Sequence, residues 1–303
     1  MRWGFNARSG HPMSLRLTLA LLWLLHWLPL PWLAAMGNGL GALAFRVARE
    51  RRRVTLINLG LCFPQWTPEQ RRSVARQHFQ EFMTSILAQG VGWFSPLSAL
   101  QKIVRYEGFE YLQAAVNAGP VIMMTPHFFG IDTAGIRLSA DVDMISFHTR
   151  HKNLILDDMI QRLRKRWKRG LIFSRQDGIR PVLRALKPGW VLYYFPDQDY
   201  GPKDSLFVDF FGVKTATIPA LSSLARVSGA RVVPCVIHQD LRHGHCTMRF
   251  YPAWENFPSA SAADDALRMN KFIETRILEH PALYLWSHKR FKTRPPGEPS
   301  FYE

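Results

Sequence analysis

His127 and Asp132, five residues apart in VIMMTPHFFGIDTAG, are residue types that move protons. An imidazole held through one nitrogen by a carboxylate has a fixed tautomer and a stabilised charged form, and its second nitrogen is left as a general base. On a continuous helix, side chains five apart lie about 140° around the axis. The pair therefore meets only if a strand, a turn and a helix follow one another, with His127 at the mouth of a sheet and Asp132 in the first helical turn facing back. The apolar run before His127 and the helix-like GIDTAGIRLSA after it suit that arrangement. Taken alone, the spacing favours a plainer account, a core strand ending beside a helix whose dipole favours an acidic residue.

Three further stretches place polar residues where apolar runs stop. In GLIFSR, Gly170 starts a short strand and Arg175 emerges at its end, where a guanidinium can bind phosphate or carboxylate bidentately, or simply pair with Asp177. In YYFPDQDYGP a strand ends at Phe195-Pro196 and a loop carries Asp197, Gln198, Asp199 and Gly201. Loops at the carboxyl ends of strands are where open α/β sheets bind ligands. Asp197 and Asp199 are expected to orient a substrate sugar or an active-site arginine. A metal site is disfavoured, because no histidine or further carboxylate lies close by. In QRLRKRWKRG, six of the eight residues 162–169 are basic: Arg162, Arg164, Lys165, Arg166, Lys168 and Arg169. They form either a solvated helix face or a footprint for anionic headgroups or an acidic protein donor.

The elements that must position these residues follow from periodicity. From about Val104, short apolar runs (PVIMMT, VDMISF, GLIF, WVLYYF, RVVPCVI) alternate with segments long enough for helices. That pattern predicts a single α/β domain with a mixed, mostly parallel sheet flanked by helices. Residues 241–252 alternate like an exposed antiparallel strand. Thr67-Pro68-Glu69-Gln70 reads as a capping box opening a helix to about Gln89. Leu17 to Phe45 contains no charged residue over 29 positions, longer than the about 20 apolar residues that span a bilayer. It predicts an N-terminal membrane helix, although Pro29 and Pro31 should kink it, and a hairpin lying in the interface also fits. A cleaved signal peptide lacks its small-x-small site. Three arginines precede the run and five follow, placing the main body on the cytoplasmic face. The expected organisation is a basic N-terminus over 1–16, a single anchor over 17–45 and a catalytic domain over 46–303.

Composition narrows the partners. Of 303 residues, 47% are hydrophobic and 20% charged, which excludes a disordered chain. With 39 Lys and Arg against 23 Asp and Glu, the net charge of +16 favours an anionic partner. The aromatic residues are not interleaved with the basic run, so a nucleic-acid platform is disfavoured. Cys62, Cys235 and Cys246 form no C-x-x-C pair, which argues against a disulfide framework or zinc site and fits a reducing compartment.

Four blocks in one order, HFFGID, GLIFSR, FPDQD and VVP, resemble the motifs of the glycerolipid acyltransferase superfamily. SRQDGIRPVL, PDQDYGP, FVDFFGVKTAT, NLGLCFPQ and the terminal MNKFIETRILEHPALYLWSHKRFKTRPPGEPSFY narrow this to the bacterial lipid A biosynthesis acyltransferases of the Kdo-dependent lauroyl and myristoyl type. The resemblance implies an inner-membrane enzyme of lipopolysaccharide biosynthesis that binds no cofactor. It would move a fatty acyl group from acyl carrier protein to a hydroxyl of a Kdo-bearing lipid A precursor. It implies His127 as the base and Asp132 as its orienting partner. Arg175 would bind phosphate or an oxyanion, joined at the substrate by Gly170, Arg164, Arg166, Asp197 and Asp199. Many members carry Glu where this chain has Asp132. Alternatives are an acyltransferase for lysophosphatidate or a mannosylated inositol lipid, against which PDQDYGP stands in place of F-P-E-G-T-R, and a non-catalytic basic protein. Cys235, beside Pro234, is an alternative nucleophile.

Overall fold

The long apolar run breaks at its prolines. The computed structural model describes residues 13–148, 166–167, 169–174 and 178–303. Helix α1 (Met13–Leu25) ends before Pro29, and α2 (Leu30–Val47) begins anew with a proline in its first turn, where the missing N–H is tolerated. Among the described residues, no helix is long and apolar enough to cross a membrane, so the single membrane helix expected over 17–45 does not form. Instead α2 lies along α4 (Pro68–Phe94). The close approach is set by Gly37 and Gly41, one helical turn apart: a Cβ at Gly37 would sit 2.2 Å from Thr84 Oγ1, and one at Gly41 2.3 Å from Gln80 Cα. Leu17 and Leu21 on α1, Trp27 in the turn after it, and Trp32, Leu43 and Val47 on α2 remain exposed.

After α3 (Arg49–Cys62), the capping box forms as expected. Thr67 Oγ1 accepts the Gln70 N–H and the Gln70 side chain accepts the Thr67 N–H, and α4 then runs on to Phe94. Next come α5 (Leu97–Ile103), β1 (Val104–Glu107), α6 (Phe109–Ala118), β2 (Val121–Met124), α7 (Ile131–Leu138), β3 (Asp143–His148) and β4 (Gly170–Ser174). They are followed by α8 (Arg180–Ala185), β5 (Trp190–Tyr194), the hairpin β6 (Leu206–Phe210) and β7 (Val213–Thr217), α9 (Ala220–Ser228), β8 (Arg231–Asp240), β9 (His245–Phe250) and α10 (Ala262–Glu279).

Seven strands form one sheet in the order β1-β9-β8-β2-β5-β3-β4. Strands β8, β2, β5, β3 and β4 run parallel; β9 is antiparallel to β8, and β1 is parallel to β9. This is the mixed, mostly parallel sheet predicted. The antiparallel strand differs from expectation: it is mostly buried, because α5 and α6 pack against it, while β1 pairs along its outer edge. Strand β2 is central and buried at all four residues, as a strand covered by helices on both faces must be.

Gly41→Val should push α2 off α4, because the added carbons meet backbone rather than a movable side chain. Overpacking of this kind costs about 1–3 kcal/mol. The expected result is a lower thermal unfolding midpoint in mild detergent; an unchanged midpoint would show that the α2–α4 seam can open without cost.

Candidate active site

Strands β2 and β5 pair in parallel, with Met124 opposite Tyr194. Each is followed two residues later by proline, Pro126 and Pro196, and proline cannot donate to a ladder. The last link is Thr125 N–H to Tyr194 O, at 2.9 Å. Both chains then leave the sheet together, and the shared register brings His127 opposite Asp197. The Asp197 carboxylate takes the His127 backbone N–H on one oxygen at 2.8 Å and ring Nδ1 on the other at 2.6 Å.

The carboxylate that holds the imidazole is therefore Asp197, not Asp132. The Gly130 turn, at φ 91°, starts α7 and carries Asp132 out to an exposed position, where Gln89 Nε2 donates to it over 3.3 Å. Asp197 is fully buried. Burial alone would raise its pKa, but the charge and hydrogen bonds of His127, with the nearby Arg290 guanidinium, outweigh this and hold it below the ordinary carboxylate range. An ionised carboxylate at Nδ1 makes that nitrogen the donor and leaves Nε2 with the lone pair. The His127 side chain lines a cleft of about 350 Å³, walled by Tyr194, Phe195, Gln198, Tyr200 and Leu224 at the carboxyl edge of the sheet. That volume lies within the roughly 300–1,000 Å³ of small-molecule sites.

The C-terminal strap closes over the back of this pair. Leu285 N–H bonds to His127 O at 3.0 Å, and Phe129 N–H to Leu283 O at 3.0 Å. Asp199 is buried, but it is a staple rather than a substrate contact: its oxygens accept the Thr293 N–H and hydroxyl, both at 2.8 Å, and the Gly201 N–H at 2.9 Å. Its own N–H goes to His288 Nε2 at 3.2 Å. Burial, assisted by Arg290, lowers the His288 pKa to about 4, so that ring is neutral. Arg290 is itself buried, donating to Ala216 O at 3.0 Å with its guanidinium over the Phe210 ring. From NLGLCFPQ, the buried Asn58 side chain donates to Trp286 O and His288 O at 2.7 and 2.8 Å. NLGLCFPQ and the terminal block carry the family resemblance, but no pattern in them assigns Asn58, His288, Arg290 or Thr293 a role.

Other expected site residues lie elsewhere. Gly170 begins β4, at the edge of the sheet opposite His127. Arg166 donates to Trp93 O at 3.0 Å and stacks on Trp167, and Arg169 pairs with Asp143. Arg164 and Arg175 lie outside the described residues. Cys235 is fully buried, and burial pushes its thiol well above the ordinary cysteine range, so it presents no thiolate nucleophile. Among the described residues, no group of three or more His, Cys, Asp or Glu is placed to hold a metal ion.

Comparisons with known proteins give this geometry a family. A family model described as bacterial lipid A biosynthesis acyltransferase matches residues 3–293. The lipid A biosynthesis palmitoleoyltransferase of Escherichia coli K12 is 33% identical over 287 residues, covering 94% of this chain and 92% of that protein. The lauroyltransferase of the same organism is 31% identical over 288 residues, covering 94% of each. Its myristoyltransferase is 32% identical over 262 residues, covering 86% of this chain and 80% of that one. The chain belongs to the bacterial lipid A biosynthesis acyltransferase family. It is an O-acyltransferase of lipid A biosynthesis.

A depressed carboxyl pKa contributes stability that is complete above the unfolded value, near about 3.9, and is lost as pH falls through the folded value. The stability gap between wild type and Asp197→Asn should therefore be full at neutral pH and shrink below about pH 4. Thermal unfolding across this range checks it; a gap independent of pH would contradict an ionised Asp197. The same variant should lower kcat by about 10²–10⁴-fold, the usual worth of positioned acid–base catalysis.

Proposed function

We propose that this enzyme transfers a fatty acyl group from acyl carrier protein to a hydroxyl of a Kdo-bearing lipid A precursor, with His127 as general base. The observation that carries the reading is the His127–Asp197 pair, which leaves Nε2 as the acceptor nitrogen of a ring lining the cleft. Nε2 takes the proton of the acceptor hydroxyl as its oxygen attacks the thioester carbonyl. The tetrahedral oxyanion collapses, the C–O ester bond forms and the C–S bond breaks. The leaving thiolate recovers the proton from the imidazolium. Asp197 stabilises that imidazolium through the short Nδ1 contact, while Asp132, the acidic member of the H-x-x-x-x-D motif, would act on it through charge alone. Arg175, by the likeness of GLIFSR to the family motif, is assigned to a phosphate or the oxyanion, and Arg164 to the anionic substrate. The net charge of +16 suits both an acidic carrier protein and a phosphorylated lipid.

The same reading puts the enzyme at the inner membrane, held by the outward side of α1 and α2 lying in the interface. The exposed Leu17, Leu21, Trp27 and Trp32, on and between helices that are not long and apolar enough to span, suit such an interfacial surface.

His127→Ala should reduce transfer from acyl carrier protein thioester to a small residual rate while the variant still sediments with anionic vesicles. Full transfer by this variant would remove His127 from the mechanism. Trp27→Glu combined with Trp32→Glu should do the reverse, releasing the protein from vesicles while transfer to detergent-dispersed acceptor persists. Undiminished sedimentation of the double variant would move the membrane contact elsewhere.

A further inference from the structure

Two helices wall one side of the catalytic cleft, and their outward faces take no part in the chemistry described above. Ile179 lines the cleft just before α8, and Ala220 and Leu224 line it from α9, which packs against α8. Leading away from the cleft, Arg180 and Arg184 stand one turn apart on α8, and Lys187 follows its end; all three are exposed. On α9, Val227 continues the stripe of Ala220 and Leu224 at helical spacing and is 70% exposed, with exposed Arg226 beside it.

The charge on this face is of one sign. No Asp or Glu occurs between Gly178 and Pro196, or between Phe210 and Ile237. Elsewhere on the surface Arg249, Lys271, Arg276 and Arg294 each have a carboxylate partner. Among the described residues, no carboxylate pairs with Arg180, Arg184, Lys187 or Arg226, and Arg226 donates to the Ser259 carbonyl. Cations left unneutralised beside a cleft mouth raise the local concentration of an anionic partner and steer its approach.

The topology says which partner this is. In the strand order β2-β5-β3-β4, the connection β2–α7–β3 crosses the sheet in one direction and β4–α8–β5 in the other. Right-handed crossovers therefore put α7 and α8 on opposite faces of the sheet. The α7 side is packed by α4, and α4 carries α1 and α2 with their exposed leucines and tryptophans. A lipid surface is met there. The α8–α9 side instead offers cations around one exposed apolar residue, a surface that fits an acidic soluble protein.

We propose that the outward face of α8 and α9 docks the acidic carrier protein that delivers the acyl thioester. Arg180, Arg184 and Arg226 meet its carboxylates, and Val227 supplies the apolar contact. Docked there, the carrier stays outside the cleft and its pantetheine arm enters past Ile179 to reach His127. The proposal rests on the donor assigned above and adds where that donor binds.

The test is steady-state transfer by the full chain in detergent, with one acyl group presented on two donors, the acyl carrier protein thioester and the free pantetheine thioester. Arg180→Glu combined with Arg184→Glu should raise KM for the carrier thioester about tenfold at low salt, the lower end of what electrostatic steering gives. Its kcat should stay at the wild-type value, and so should KM for the pantetheine thioester, which carries no acidic protein. Added salt should narrow the gap between variant and wild type. The native cysteines are buried, so a benzophenone can be placed on Lys187→Cys, where it should cross-link to the carrier. The same label on Arg72→Cys, in α4 on the other side of the sheet, should not. An unchanged KM for the carrier, an equal rise for both donors, cross-linking from Arg72→Cys alone, or loss of vesicle sedimentation by the double glutamate variant would each overturn the docking face. A wild type with the same KM for both donors would instead remove the carrier as donor, and the docking face with it.

Discussion

The parallel register between β2 and β5 is the constraint on which the site depends. It places Met124 against Tyr194, and two residues further on each chain meets a proline that cannot extend the ladder. The strands are thereby released at the same level, and the next residues, His127 and Asp197, face one another. A slip of one residue would separate them by a full strand step, about 3.3 Å in a parallel pair. The pair is thus specified by buried apolar strands that make no contact with substrate.

The rest of the molecule keeps that pair in place. Asp197 is buried, where an uncompensated charge would be costly, and it stays ionised because two His127 hydrogen bonds and a nearby guanidinium oppose desolvation. The strap carrying that guanidinium is fastened by Asp199 to Thr293, by Asn58 to the Trp286 and His288 carbonyls, and by Trp286 in the core. Residues from four distant parts of the sequence thus converge behind one imidazole, while its other face is left to the cleft.

Much of this was legible in the sequence, and the misses have physical causes. Apolar runs located β2, β3, β5 and β8, because buried parallel strands carry uninterrupted hydrophobic residues, and also the more exposed edge strand β4. The Thr67 capping box was local chemistry and formed as read. Proximity in sequence paired His127 with Asp132, whereas the strand register brings Asp197, 70 positions away, to its ring. The roles of Asp199, His288 and Arg290 depend on where the strap docks, which no local pattern encodes. The N-terminal run was apolar enough for a membrane helix, yet its prolines divide it and Gly37 and Gly41 draw half of it onto α4.

The most direct test of the account is a double-mutant cycle on transfer rate joining His127→Ala and Asp197→Asn. If Asp197 acts only by holding and charging His127, the double variant should be no slower than His127→Ala alone, as for groups that work as one unit. Losses that multiply, so that the double variant falls below His127→Ala by the full Asp197→Asn factor, would contradict it and give Asp197 a separate role.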